Sequence, residues 1–132
     1  MNLLYKSTRD AEKTVTASQA ILKGLADDGG LFVPVSIPKL PVSLGELKEM
    51  TYQEIAYTVM KEFLTDFTEE ELKSCIAKAY DSKFDTEEIA PLAKVEDAYY
   101  LELFHGATIA FKDMALSSAP SDYFCKEKSG EE

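Results

Sequence analysis

Lys112 is the residue of this chain whose type and setting offer covalent chemistry. A run of apolar and aromatic residues, Tyr99 to Phe104, reads as a strand of limited length. His105-Gly106 cuts that run, and a short apolar segment ending in Phe111 then presents Lys112, followed by Asp113. This layout predicts a lysine delivered to the end of a strand, at the start of a helix. Partial burial and the positive end of a helix dipole both disfavour an ammonium ion, and a neutral amine attacks aldehydes. Periodicity alone favours the plainer reading, a solvated surface lysine beside an aspartate.

Other reactive side chains are few. Cys75 and Cys125 lie far apart and outside any C-x-x-C pattern, so free thiols are expected, with neither a zinc site nor a redox pair. With His105 as its single histidine, the chain has little from which to assemble a metal site or a Cys/His pair, and no metal is expected. The 14 Lys+Arg against 24 Asp+Glu give a formal net charge of −10, which disfavours nucleic acid and anionic membranes as partners. No apolar run approaches the ~20 residues that span a bilayer. Met1 to Arg9 has no apolar signal-peptide core, so a cytoplasmic location is expected.

At 132 residues and 45% hydrophobic content the chain is sized for one domain with a core. Leu3-Leu4-Tyr5 suits an opening strand followed by a loop. Thr16-Ala17-Ser18-Gln19 has the form of a capping box, leading a short helix through Ala20, Ile21, Leu22 and Leu25, with Gly24 near its end. Asp27-Asp28-Gly29-Gly30 is a turn, Leu31-Phe32-Val33 a strand closed by Pro34, and Ile37 to Pro41 an extended connection. Three further S/T-x-x-E starts follow, at Ser43, Thr51 and Thr68. The second predicts an apolar face of Ile55, Val59, Phe63 and Tyr52. The third predicts Leu72, Ile76, Ala79 and Tyr80 with Cys75 beside them as a small core group. Pro91 to Val95 and Ala98 to Phe104 read as two strands joined by a turn, the second delivering the lysine segment.

Leu101-Glu102-Leu103-Phe104-His105-Gly106-Ala107-Thr108-Ile109-Ala110-Phe111-Lys112-Asp113 resembles the lysine segment of threonine synthase, a pyridoxal-phosphate enzyme of the tryptophan-synthase-β-like fold. Three earlier stretches resemble that family in the expected order. They are Tyr5 to Arg9, with its Ser-Thr-Arg opening; Ala20 to Pro34, with Gly-Leu-Ala and Asp-Gly-Gly-Leu; and Thr51 to Ala56, followed by Ala79-Tyr80 and Ile89 to Leu92. The resemblance implies that Lys112 is the Schiff-base lysine for pyridoxal 5'-phosphate, and the base and acid that moves protons on the substrate carbons. It implies that Phe111 packs beside the cofactor ring, with Thr108 as an orienting hydroxyl and Asp113 as a helix-capping carboxylate. For His105, a structural and a substrate-side role both stay open. The reaction implied converts O-phosphohomoserine and water into threonine and phosphate.

The resemblance covers only the start of such an enzyme. The glycine-rich cup for the cofactor phosphate and the partner of the pyridine nitrogen have no counterpart among the six glycines and their surroundings. The expected fold is therefore α+β, a mostly helical amino-terminal module with short strands, truncated from a fold-type II enzyme. Residues 1–98 are assigned to the amino-terminal domain, 99–116 to the start of the cofactor domain, and 117–132, too polar to continue a buried helix, to a mobile or non-native tail. Smaller departures are Asp10 where the family has Gly and Ala107 where it has Pro. Such a piece is expected to be inactive alone, to bind cofactor weakly or not at all, and to expose an apolar docking face prone to self-association. A threonine-synthase-like phospholyase would carry the same lysine segment, and an acidic interaction module would keep the fold without the chemistry.

Overall fold

The structure, a computed structural model, describes residues 2–116. Cys125 and the expected polar tail at 117–132 lie outside the described residues. The chain opens with a three-stranded antiparallel sheet. β1 (Tyr5–Ser7) is central, with β2 (Thr14–Val15) on one side and β3 (Phe32–Pro34) on the other. Tyr5 faces Val15 on one neighbour and Pro34 on the other. Pro34 thus lies within the strand it was expected to close, which its missing N–H permits on an edge strand.

The Ser7-Thr8-Arg9 and Asp27 to Gly30 stretches are two halves of one junction beside this sheet. Ser7 Oγ and the Gly30 amide both donate to Asp28 Oδ1 at 2.8 Å, and Arg9 Nη1 donates to the Asp28 carbonyl at 3.0 Å. Thr8 completes the junction by exchanging two bonds with Leu31, from its own amide at 2.9 Å and to its hydroxyl at 3.1 Å. Gly30 has to be glycine, because a Cβ there would stand 2.1 Å from Ser7 Oγ. The Gly30 amide, and then the Ser7 hydroxyl, hold the Asp28 carboxyl below its ordinary range.

All four expected capping boxes form: Thr16 with Gln19, Ser43 with Glu46, Thr51 with Glu54 and Thr68 with Glu71. They start α1 (Ala17–Lys23), α2 (Leu44–Leu47), α3 (Tyr52–Phe63) and α4 (Glu69–Ala79). Each cap contributes about 1 kcal/mol, so the sequence fixes where these helices begin. Gly24, at φ 70, ends α1.

α3 and α4 pack as a pair and carry the main core of Ile76, Ala79, Tyr80, Phe84 and Ile89, against which Tyr52, Ala56, Tyr57 and Met60 are packed. The α4 face is the predicted one, with Leu72 and Cys75 also buried. In place of the predicted Ile55, Val59 and Phe63, Ala56 and Met60 join the predicted Tyr52 on the α3 face that packs on the core, which reads Tyr52, Ala56 and Met60. Those three residues follow the i, i+4 ridge, and it is this ridge that meets α4. A smaller cluster of Phe67 and Leu72 holds Ile21 and Leu22 of α1 and Leu64 against the pair. Ser18 reinforces it, its amide and hydroxyl donating to Asp66 Oδ2 at 3.0 and 2.6 Å.

After irregular residues 80–91 the chain forms a hairpin of β4 (Leu92–Val95) and β5 (Ala98–Leu101), with Leu92 facing Leu101 and Val95 facing Ala98. Glu96 takes φ 53 in its two-residue turn. β5 ends at Leu101 rather than at the expected Phe104, because Pro91 and Leu92 are the last residues opposite it; the Glu102 amide makes the final bond, to Pro91 O at 3.0 Å. Leu92, Val95, Tyr99, Tyr100 and Leu101 are all exposed. α5 (Asp113–Leu116) closes the described chain. No helix among the described residues is long and apolar enough to cross a membrane.

Candidate functional site

Between β5 and α5 the chain runs without regular structure, and local bonds decide where its side chains stand. His105 is the first fixed point. Its Nδ1 lies 2.5 Å from Asp85 Oδ1 and its Nε2 2.8 Å from Glu102 Oε2, while its carbonyl accepts from the Asp85 amide at 3.1 Å. The Phe104 ring stacks on it at 4.6 Å between centroids. The Glu102 carboxylate, then that of Asp85, raises the imidazole above its ordinary pKa, because both stabilise the doubly protonated ring. His105 therefore ties the end of the hairpin to the 80–91 segment, and both of its nitrogens are engaged in doing so.

The second fixed point is Asp113. Its carboxylate accepts from the Thr108 amide at 2.7 Å through Oδ2 and from the Thr108 hydroxyl at 2.5 Å through Oδ1. Asp113 is buried, and the Thr108 hydroxyl, followed by the Thr108 amide, lowers its carboxyl pKa, with the Lys112 charge a smaller cause. Gly106 lies directly against it, since a Cβ there would come within 2.6 Å of Asp113 Cβ. The loop between them turns at Ile109, which holds φ 60, a conformation that β-branched residues seldom adopt. Asp113 thus bonds back across the loop, where a cap on its own helix was expected. The reason is geometric: it is already the first residue of α5, inside the position from which a side chain caps.

The third fixed point lies beyond the lysine. Tyr80 Oη, at the end of α4, donates to the Met114 carbonyl at 2.7 Å, and Met114 packs on the main core. Lys112 and Phe111 sit between the second and third points, at the tip of the loop. Both are exposed, Phe111 at 75%. The partial burial expected of Lys112 is absent among the described residues, and the amine stands at the start of a four-residue helix, eleven residues beyond the end of β5. Thr108, Phe111, Lys112 and Asp113 are brought into one loop, and His105 is held outside it.

Sequence reasoning missed Tyr80 as a partner of this segment and Glu102 and Asp85 as partners of His105. Glu102 had a signal, its i, i+3 spacing to the histidine. Asp85 and Tyr80 had none, because their contacts span 20 and 34 residues. Among the described residues no group of three or more His, Cys, Asp or Glu could hold a metal.

Residues 4–80 match the family model described as the threonine synthase N terminus. The chain belongs to the threonine synthase family. Threonine synthase from Eremothecium gossypii is 38% identical over 97% of this chain, and that from Schizosaccharomyces pombe 39% identical over 96%. A crystal structure of threonine synthase from Brucella melitensis, described as bound to PLP, superposes with a TM-score of 0.84 at 30% identity over 98% of this chain. The chain spans 27% and 26% of the two relatives' lengths and 29% of the Brucella chain. The α+β architecture is thus that of the corresponding region of fold-type II threonine synthases.

Proposed function

We propose that this region serves a threonine synthase that converts O-phosphohomoserine and water into threonine and phosphate, with Lys112 as the residue that holds pyridoxal phosphate. The observation that carries the reading is the presentation of Lys112: an exposed primary amine at the tip of a loop fixed on both sides, by Asp113 with Thr108 and by Tyr80 with Met114. The residues fit the aldehyde end of the cofactor. The acid nearest to Lys112 in sequence, Asp113, is occupied by Thr108 and leaves the amine unpartnered by it, and the exposed Phe111 ring lies alongside in sequence to meet a flat heterocycle. They do not fit its phosphate, since no glycine-rich run of amides adjoins the lysine.

When bound, the cofactor supplies an electron sink for negative charge developing on the substrate carbons. Lys112 would hold the cofactor at its aldehyde carbon and would serve as the base and acid for protons at the substrate carbons. Phe111 would pack beside the cofactor ring and limit its orientations. The division of the chain at residues 98 and 99 belongs to this proposal, although the β4–β5 pairing runs across that boundary. So do a cytoplasmic setting and the absence of nucleic-acid and membrane partners, which the net charge of −10 favours. The exposed apolar side of the hairpin faces the rest of the enzyme, and in the isolated chain it associates with a second copy. The isolated chain is inactive in this reading, because phosphate and ring nitrogen go unsupported.

The test is to add pyridoxal phosphate to the chain, reduce with borohydride and map the labelled peptides. Preferential label on Lys112 supports the assignment. Label spread evenly over the surface lysines overturns it.

A further inference from the structure

Within the loop that carries Lys112, one side chain makes the bonds that reach back across it. Asp113 reaches back five residues and takes both the amide and the hydroxyl of Thr108. Around that clasp the backbone makes successive short turns, Ile109 amide to Gly106 carbonyl and Asp113 amide to Ala110 carbonyl, each at 3.0 Å. Gly106 lets the backbone pass directly against the Asp113 side chain, since a Cβ there would come within 2.6 Å of Asp113 Cβ. Ile109 is held at φ 60, which an unbraced loop would relax toward negative φ. Lys112 is the residue immediately before the clasping carboxylate, so the direction of its Cα–Cβ bond follows from the clasp.

We propose that Asp113 and Thr108 are positioning residues for Lys112: their two hydrogen bonds set the backbone from which the amine is aimed at the cofactor. This rests on the reading of Lys112 as the cofactor lysine. It assigns Asp113 no contact with cofactor or substrate. Its carboxylate is buried and occupied, and it acts through the loop.

The variants Thr108→Val, which keeps shape and loses the hydroxyl, and Thr108→Ser, which restores it, separate the two claims. The first measurement needs no cofactor: the acid titration of the Asp113 carboxyl carbon by NMR. In the parent chain it titrates below the ordinary carboxylate range; Thr108→Val moves it up toward that range and Thr108→Ser does not. The second is the borohydride label on Lys112 relative to the exposed Lys39 as internal reference. Loss of one hydrogen bond to a charged acceptor should lower that ratio by roughly tenfold in Thr108→Val, with rescue in Thr108→Ser. An Asp113 titration unmoved by Thr108→Val overturns the clasp itself. A moved titration with an unchanged label ratio overturns the positioning claim alone. A moved titration with parent label already spread over all lysines removes the Lys112 reading, and the positioning claim falls with it.

Discussion

Replacing Tyr80 by Phe deletes one oxygen and leaves a core ring in place, and exchange measured at α5 alone then reads how the lysine segment is anchored. The Tyr80 ring meets Tyr52 edge-on at 4.8 Å between centroids and Phe84 at 5.9 Å, contacts that phenylalanine retains. What disappears is the hydroxyl bond to the Met114 carbonyl at 2.7 Å, which joins α4 to α5, together with the side-chain hydrogen bond between Tyr80 and Tyr52 inside the helical pair. A neutral hydrogen bond of this kind contributes about 1 kcal/mol net. With RT near 0.6 kcal/mol, that is roughly a fivefold change in an opening equilibrium. The amides of Asp113, Met114 and Ala115 donate to the carbonyls of Ala110, Phe111 and Lys112 at 3.0, 3.2 and 3.1 Å, and report that opening directly. Amide hydrogen exchange at these three positions should therefore run about fivefold faster in Tyr80→Phe. Unchanged exchange there would refute the tether. A loss of global stability of about 3 kcal/mol or more, the range for deleting a core aromatic, would refute the premise that the ring stays seated.

Two further outcomes follow from the same contacts. His105 is the single histidine and its imidazole is raised above the ordinary value, first by Glu102 and then by Asp85. Its contribution to stability is complete below the unfolded value of about 6.5 and is lost as pH rises through the higher folded value. Thermal midpoints should thus fall from roughly pH 6 toward pH 9, and His105→Gln should flatten that dependence; an identical slope in the variant would show that the histidine is not its source. Gly30→Ala forces a methyl to within 2.1 Å of Ser7 Oγ and 2.9 Å of Asp28 Oδ1, so the junction must open. Urea midpoints should register a loss of about 1–3 kcal/mol, and a variant as stable as its parent would show that the junction is not tight.

How far the sequence carried the fold depended on the range of the interaction. Thr16, Ser43, Thr51 and Thr68 each find their partner three residues on, so all four helix starts were legible from type and spacing alone. The α4 stripe was legible for the same reason. Of the α3 stripe only Tyr52 was placed, because Ile55, Val59 and Phe63 lie beside the ridge of Tyr52, Ala56 and Met60 with comparable apolarity, and only the position of α4 chooses between them. The lysine loop was legible as chemistry and illegible as geometry. Lys112, Phe111, Thr108 and Asp113 were all marked, yet the backward bond from Asp113 required knowing that it already lies inside α5. The junction of Ser7 with Asp28 was hidden in the same way: both stretches were singled out, but 21 residues of intervening chain concealed that they touch.

The energetics of the lysine segment point to where its order comes from. A two-stranded hairpin is marginal by itself in water, and β5 is exposed along its whole length, so the hairpin cannot be what fixes Lys112. Ile109 at positive φ opposes the loop by about 1–2 kcal/mol. Against that strain stand the two bonds into the Asp113 carboxylate and the Tyr80 bond with burial of Met114, each of a size to offset it. The bonds that hold the loop thus lie within it and at the end of α4, with His105 fixing its entry to the 80–91 segment. The helical pair is in this sense the foundation of the lysine, although its own residues carry none of the proposed chemistry. Perturbing Tyr80 or Thr108 should loosen the amine while the helices stay folded, whereas perturbing the α3–α4 core should lose both together.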